Sequence, residues 1–248
     1  MLEHTFIHVQ GIGQKTERNL RQRGILTWED FLVRGEGIFP SARDRFIRGQ
    51  LEDSVRHRED PVFFRDRLPS SEHWRLYEAF RERAVFLDIE TGGGDQGLEE
   101  ITLIGIYDGR EFRSFLNGRD LADFETAIAQ YDLVITFNGT SFDLPMIRRF
   151  FPNIALPAVH IDLRFVLRRL GYRGGLKKIE KDLGVLRESS IEGMNGLDAV
   201  RLWNAYRWGD RSALDLLIRY NEADVLNLKP LMEMASREAR ERLFHQAC

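Results

Sequence analysis

Two acids stand two residues apart in an apolar run. Ala84 to Thr91 reads AVFLDIET, where Val85, Phe86, Leu87 and Ile89 have strand composition and Asp88 and Glu90 interrupt them. Strand side chains repeat every second residue on one face, so both carboxylates point the same way. Burying two like charges side by side is costly unless a cation or a partner neutralises them. A divalent metal held by oxygen ligands resolves that conflict. Two more acids extend the set: Asp143 in FNGTSFDLPMI and Asp224 in RYNEADVLNL. Tyr220 stands four residues before Asp224 and shares its helical face. Each residue also has a plain structural reading. Asp88 and Glu90 fit a strand-end salt-bridge cluster, and Asp143 a charge at a helix N-terminus. Asp224 fits a surface pair with Arg219 or Lys229, and Tyr220 a core position.

These residues meet only if the fold gathers them. After the first strand comes GGGDQGLEE, a turn and loop; Ile101 to Tyr107 is the second strand. Asp108-Gly109 is a hairpin turn signal, and Glu111 to Leu116 is the returning third strand. Asp120 to Tyr131 has helical periodicity, with Leu121, Phe124, Ile128 and Tyr131 on one side. Leu133 to Phe137 is an apolar strand buried on both faces. Asn138 and Gly139 break it, and a helix follows from about Phe142 to Phe151. A brief strand over Ala158 to Asp162 leads into a helix over Leu163 to Leu170. Lys177 to Leu183, Leu197 to Tyr206 and Ser212 to Met234 are also helical. This order predicts an α/β fold with a mixed sheet. Asp143 then lies past the C-terminal end of the fourth strand, where α/β sheets place ligands.

At this point LDIET, NGTSFDLPMI and YNEAD resemble the three ordered motifs of the DEDD 3′–5′ exonucleases, which share the ribonuclease H-like fold. The tyrosine four residues before the last aspartate resembles the DEDDy branch. Within that branch the chain looks most like the bacterial YprB-type ribonuclease H-like domains, over about Ala84 to Ala235. The resemblance implies a ribonuclease H-like mixed sheet flanked by helices. It also implies hydrolysis of phosphodiester bonds at the 3′ end of single-stranded DNA or RNA, with two divalent ions, Mg²⁺ or Mn²⁺, and no organic cofactor. Hard cations of this kind take carboxylate oxygens. By the same resemblance Asp88 bridges both ions, Glu90 and Asp143 complete their shells, and Asp224 holds the ion that activates water. Tyr220 would orient that water, because a phenol with a reference pKa near 10 is a poor base at neutral pH. Two other readings stay open: a catalytically silent nucleic-acid-binding module, and an endonuclease or resolvase on the same fold. Fold alone does not separate them.

Supporting residues follow. Asn138 is placed to bond substrate or to fix the turn before Asp143. Thr91 and Gly92 can approach a terminal nucleotide, and Phe142 can wedge against a base or pack in the core. Asp162, in HIDLRF, is either another acid near the site or the N-cap of the next helix. From Met146 to Arg187 bases outnumber acids, and Lys177, Tyr172 and Gly174-Gly175 fall there. The bias suits a phosphate-tracking groove for a single strand, or a solvated helical face. The 2′-hydroxyl contact that separates RNA from DNA leaves no mark in the sequence.

The N-terminal stretch FIHVQGIG-QKTERNLRQRG resembles a helix-hairpin-helix motif, which implies that Gly11, Gly13 and Lys15 meet nucleic-acid phosphates. Packing on the main domain or a protein partner is the alternative. Thr27 is an N-cap for a second short helix. Residues 35–82 read as a helical connector, with arginines and acids alternating from Gly35 to Leu68 and one more helix over Ser70 to Arg83, capped by Ser70 or Ser71. The division is 1–34, 35–82 and an exonuclease domain over 83–240. With 248 residues, 43% of them hydrophobic, the chain has room for such a core. A lone cysteine, Cys248, excludes an internal disulfide framework and a cysteine-based zinc site. A net charge of −3 does not announce nucleic-acid binding, though it hides local patches. No run long enough to span a bilayer and no signal-peptide pattern is visible, so a cytoplasmic protein is expected.

Overall fold

The computed structural model describes residues 1–93 and 100–245. Most of the loop expected after Thr91 lies outside the described residues, as does Cys248. The chain forms two compact units. One comprises Met1–Arg81 with the segment from Met234 onward, and the other Glu82–Glu233. Among the described residues no helix is long and apolar enough to cross a membrane.

The first unit contains α1 (Gln14–Gln22), α2 (Trp28–Arg34), α3 (Ser41–Arg56), α4 (Pro61–Arg65) and α5 (Tyr77–Phe80). They bury Phe6, Leu20, Phe31, Leu51 and Phe64. Thr27 caps α2 in a capping box: its hydroxyl accepts the Asp30 N–H, and the Asp30 carboxylate accepts the Thr27 N–H. Ahead of Gly11 there is a 3₁₀ turn at Leu2–His4, followed by further turns. The single helix expected over Ser70 to Arg83 is wound differently. It is a 3₁₀ helix over Ser70–Leu76, then α5, then a 3₁₀ turn over Arg81–Arg83. Pro69, not Ser70 or Ser71, takes the N-cap position, without a side-chain cap bond. The cause is a buried ion cluster. Arg75 donates to Glu72 at 2.7 Å and to Glu17 at 2.9 Å. Residues three apart eclipse in a 3₁₀ helix, which brings Glu72 onto Arg75.

In the second unit β1 (Ala84–Thr91), β2 (Ile101–Tyr107), β3 (Phe112–Leu116), β4 (Leu133–Thr136) and β5 (Val159–Asp162) form one sheet in the order β3-β2-β1-β4-β5. β1 runs antiparallel to β2 and parallel to β4, and β4 is parallel to β5. This is the mixed sheet that the pattern predicts. Around it lie α6 (Phe124–Ile128), α7 (Asp143–Phe150), α8 (Leu163–Leu170), α9 (Leu176–Asp182), α10 (Gly196–Arg207) and α11 (Arg211–His245). Alternation along β2 and β3 separates two cores: Ile104, Ile106 and Phe115 fall in one, Leu103 and Leu116 in the other. Val85, Leu87 and Ile89 pack with Phe124, Ile128, Leu144 and Ile147 of α6 and α7. Leu103 and Leu116 pack with Trp203, Leu217 and Tyr220 of α10 and α11.

Two helices differ from expectation in length. The stretch from Asp120 to Tyr131 is α-helical only over α6, after a 3₁₀ turn at Leu121–Asp123. The Asp120 carboxylate accepts the Leu116 N–H at 2.7 Å, so it closes the exit from β3. α11 continues past Met234 to His245, with Pro230 inside it. Its last turns hold neither glycine nor proline, and Glu238 pairs with Arg242 one turn on.

Candidate active site

The pleat of β1 directs Asp88 and Glu90 to the α11 face of the sheet. In the ladder with β2, Asp88 stands opposite Gly105 and Glu90 opposite Leu103. Gly105 has no side chain, and that gap is filled from α11. Asn221, fully buried, sets its Oδ1 over Gly105; a Cβ at Gly105 would lie 1.9 Å from that oxygen. The other end of the amide serves the acids. Asn221 Nδ2 donates to Asp88 Oδ2 at 3.0 Å and to Glu90 Oε1 at 3.4 Å. One turn further along α11 is Asp224. One carboxylate oxygen from each of Asp88, Glu90 and Asp224 lies within 4.8 Å of the others.

Asp143 joins this group from the side. The β1–β4 ladder ends at Phe86 and Ile135, which leaves the edge of β1 open beyond it. Asp143, first residue of α7, fills the opening: its Oδ1 accepts the Ile89 N–H at 3.2 Å. It is not among the three acids whose oxygens cluster within 4.8 Å, yet its charge acts on Asp88.

Cations border the acids. Arg187 pairs with both oxygens of Glu180 at 2.6 Å and also ion-pairs with Asp224. Asn227 of α11 donates to the same Glu180 at 3.0 Å. Lys177 of α9 donates to the Tyr220 hydroxyl, and its ammonium lies 4.1 Å from the centre of the tyrosine ring.

The electrostatics follow from burial. Asp88 is pushed well above the usual carboxylate range by burial, then by the charges of Asp143, Asp224 and Glu90. Glu90 rises to about 8, through burial and Asp224, against the opposing Asn221 hydrogen bond and Lys177. Asp143 rises to about 7 through burial, and burial raises Asp224 against the pull of Arg187. The Tyr220 phenol is raised by burial and by the facing acids. Burial lowers the Lys177 ammonium. Four acids in this state demand positive charge. Three of them offer clustered oxygen donors, a set that suits a hard divalent cation such as Mg²⁺ or Mn²⁺.

The remaining sequence candidates lie at the margins. Asn138 adopts φ +70°, and its Oδ1 accepts from Arg164. Asp162 organises the loop before α7. It accepts the N–H groups of Asn138 at 2.9 Å and Thr140 at 3.1 Å and caps α8 through the Arg164 N–H. Phe142 sits exposed before Asp143. Thr91 follows an irregularity in the β1–β2 register, and the Gly92 N–H returns to the Glu100 carbonyl at 3.0 Å. Gly11, Gly13 and Lys15 belong to the N-terminal unit. Sequence reasoning missed Asn221, Gly105, Glu180 and Arg187. Two signals were present: Asn221 is three residues before Asp224, and Gly105 interrupts an apolar strand, a mark of close backbone approach. Arg187 and Glu180 stood out only as members of the basic stretch from Met146 to Arg187, with nothing to pair them.

Comparison with known proteins agrees with this fold. A sequence model of the RNase H superfamily matches residues 85–236. No curated protein sequence matches the chain. Among solved structures, Brucella melitensis NrnC bound to pGG is 20% identical over 69% of this chain and 80% of its own, with a TM-score of 0.46. Escherichia coli RNase D, described as an exoribonuclease involved in structured RNA processing, is 20% identical over 71% of this chain and 49% of its own, at 0.44. The family B DNA polymerase of the hyperthermophilic archaeon Pyrobaculum calidifontis is 19% identical over 64% of this chain, which spans 24% of the polymerase, at 0.44. At such identities and scores these likenesses say nothing of chemistry. The superfamily match covers more than half of the chain, all of the sheet but Ala84, and every acid of the site, and on that ground the chain belongs to the RNase H superfamily.

Proposed function

We propose that this chain is a divalent-cation-dependent nuclease that hydrolyses the phosphodiester bond at the 3′ end of single-stranded nucleic acid. The observation that carries the reading is the convergence of Asp88, Glu90 and Asp224 within 4.8 Å. Asp88, Glu90, Asp143 and Asp224 would hold two Mg²⁺ or Mn²⁺ ions. Bound there, such ions supply an activated water and neutralise charge on the scissile phosphate.

The chain's own groups do the rest. Asn221 holds Asp88 and Glu90 in register through one amide. Tyr220, its pKa raised, stays protonated at neutral pH and orients the attacking water through its hydroxyl. Lys177 holds that hydroxyl and sets a cation beside the charge that develops on phosphate. Thr91, Gly92, Asn138 and Phe142 flank the terminal nucleotide, where the exposed Phe142 ring offers a base its face. In the N-terminal unit Gly11, Gly13 and Lys15 are exposed and are the groups that would meet nucleic-acid phosphates; nothing lies within 4 Å of a Cβ at either glycine.

A 3′-labelled single-stranded oligonucleotide tests the reading. Nucleotides are released with Mg²⁺ or Mn²⁺ and not in EDTA. Asp88→Asn slows release on the order of 100-fold or more, and a circular single strand stays intact. Wild-type rates in Asp88→Asn overturn the mechanism, and cutting of the circle makes the protein an endonuclease. One contact favours the second reading, a binding module without turnover: Arg187 already sits on Asp224 as a resident counter-charge. Tight binding with no release under any metal selects it.

A further inference from the structure

Beside α9 lies an open cavity of about 560 Å³, lined by Arg164, Arg168, Tyr172, Arg173, Asn138 and Ile179. We propose that this cavity is a subsite for one nucleotide of a single strand, upstream of the bond that the carboxylate cluster cuts. Its arginines hold the flanking phosphates and Tyr172 stacks on the base. The proposal rests on the nuclease reading and names where that substrate is held.

The lining is built by the amphipathicity of α8. Leu163, Val166, Leu167 and Leu170 face the core. Arg164 and Arg168 are one turn apart on the other side, about 6 Å along the axis. The nearby acids are already engaged. Asp162 accepts three backbone N–H groups, Glu180 is held by Arg187, and Asp182 by Lys178. Among the described residues no carboxylate pairs with Arg168 or Arg173. The cavity therefore presents uncompensated positive charge around an aromatic ring. Anionic phosphate with an attached base complements that pairing, as in single-strand grooves. The volume lies within the range of small-ligand pockets, so it admits one nucleotide and excludes a paired duplex.

The cavity is also next to the carboxylate site. Ile179 lines it, while Lys177, two residues earlier on α9, reaches Tyr220 on the other flank of the helix. Asn138, at the cavity wall, opens the loop that delivers Asp143. Gly174 and Gly175 also line the cavity, just ahead of α9; a Cβ at Gly174 would lie 2.8 Å from the Lys178 side chain, and nothing is within 4 Å of one at Gly175. A strand can cross there close to the backbone.

Binding measured without turnover tests this. Fluorescence anisotropy of a labelled eight-nucleotide single strand is followed in EDTA across a salt series, with the whole chain. Arg168→Ala/Arg173→Ala weakens binding at least tenfold. It also lowers the slope of log K against log salt by about 1.4, roughly 0.7 for each phosphate no longer neutralised. Tyr172→Ala weakens binding on the order of 5- to 100-fold with the slope kept, and Tyr172→Phe restores it. Arg110→Ala, on the exposed β2–β3 turn, changes neither quantity. An unchanged slope in the double arginine variant overturns the subsite. If wild type releases no nucleotide with Mg²⁺ yet the slope falls in the double variant, the nuclease reading fails and the subsite stands. If release proceeds and the slope does not move, the subsite fails and the nuclease stands.

Discussion

At the scale of single residues, Asn221 is the group on which the acids depend. It gives one amide N–H₂ to two carboxylates that burial has made reluctant to ionise. Hydrogen bonds to charged acceptors contribute about 1.5–3 kcal/mol. Removing a group that orients metal-binding carboxylates typically costs 10- to 100-fold in affinity or activity. Asn221→Ala is therefore expected to raise the Mg²⁺ concentration for half-maximal hydrolysis by roughly 10- to 100-fold. A magnesium titration reads this, and an unchanged half-saturation would reduce Asn221 to a space-filler. Asp88, Glu90, Tyr220 and Asp224 were legible because their spacing is local: two residues on a strand, four on a helix. Asn221 was not, because a helical asparagine fits many settings and only the gap at Gly105 selects this one. Arg187 was beyond reach, since its partners Glu180 and Asp224 lie on two different helices.

At the scale of elements, the contact between β2 and α11 sets how near the acids come to one another. Gly105→Ala puts a methyl group 1.9 Å from Asn221 Oδ1 and 3.0 Å from the Phe112 ring, so strand and helix must separate. Overpacking of this kind destabilises by about 1–3 kcal/mol. The expected outcome is a lower urea midpoint together with a greater Mg²⁺ requirement. A loss of stability with the Mg²⁺ requirement intact would show that the spacing does not govern the site. Strand positions read well from sequence because apolar alternation fixes them. Helix windings read less well. The 3₁₀ turn over Ser70–Leu76 answers to Glu17, which is far away in sequence. The short α6 answers to Asp120, which is drawn back to Leu116.

At the scale of the whole molecule, the buried acids link stability to pH and to cations. Glu90 titrates near 8 in the folded chain against an ordinary 4.5, and Asp143 near 7 against 3.8. Between these limits the folded state binds more protons than the unfolded one, so metal-free stability falls as pH rises from 3.8 to about 8. A divalent cation replaces those protons, so its stabilising effect grows over the same span. Melting temperatures in EDTA and in Mg²⁺, taken from pH 5 to 8.5, should diverge as pH rises. A constant difference would argue that the cluster does not take the ion. The grouping of the segment from Met234 with Met1–Arg81 left no local mark in the sequence, because the pattern there is unbroken helix. That continuity has a genetic consequence. A stop codon in place of Met234 spares Asp88, Glu90, Asp143, Tyr220 and Asp224. It removes Arg240, which pairs with Glu78, and Phe244, whose ring meets His4 and Arg21. Late nonsense alleles should therefore show reduced soluble yield while the surviving protein keeps the proposed hydrolysis: a defect of abundance rather than of chemistry, visible as a weaker band on a blot at an unchanged rate per molecule.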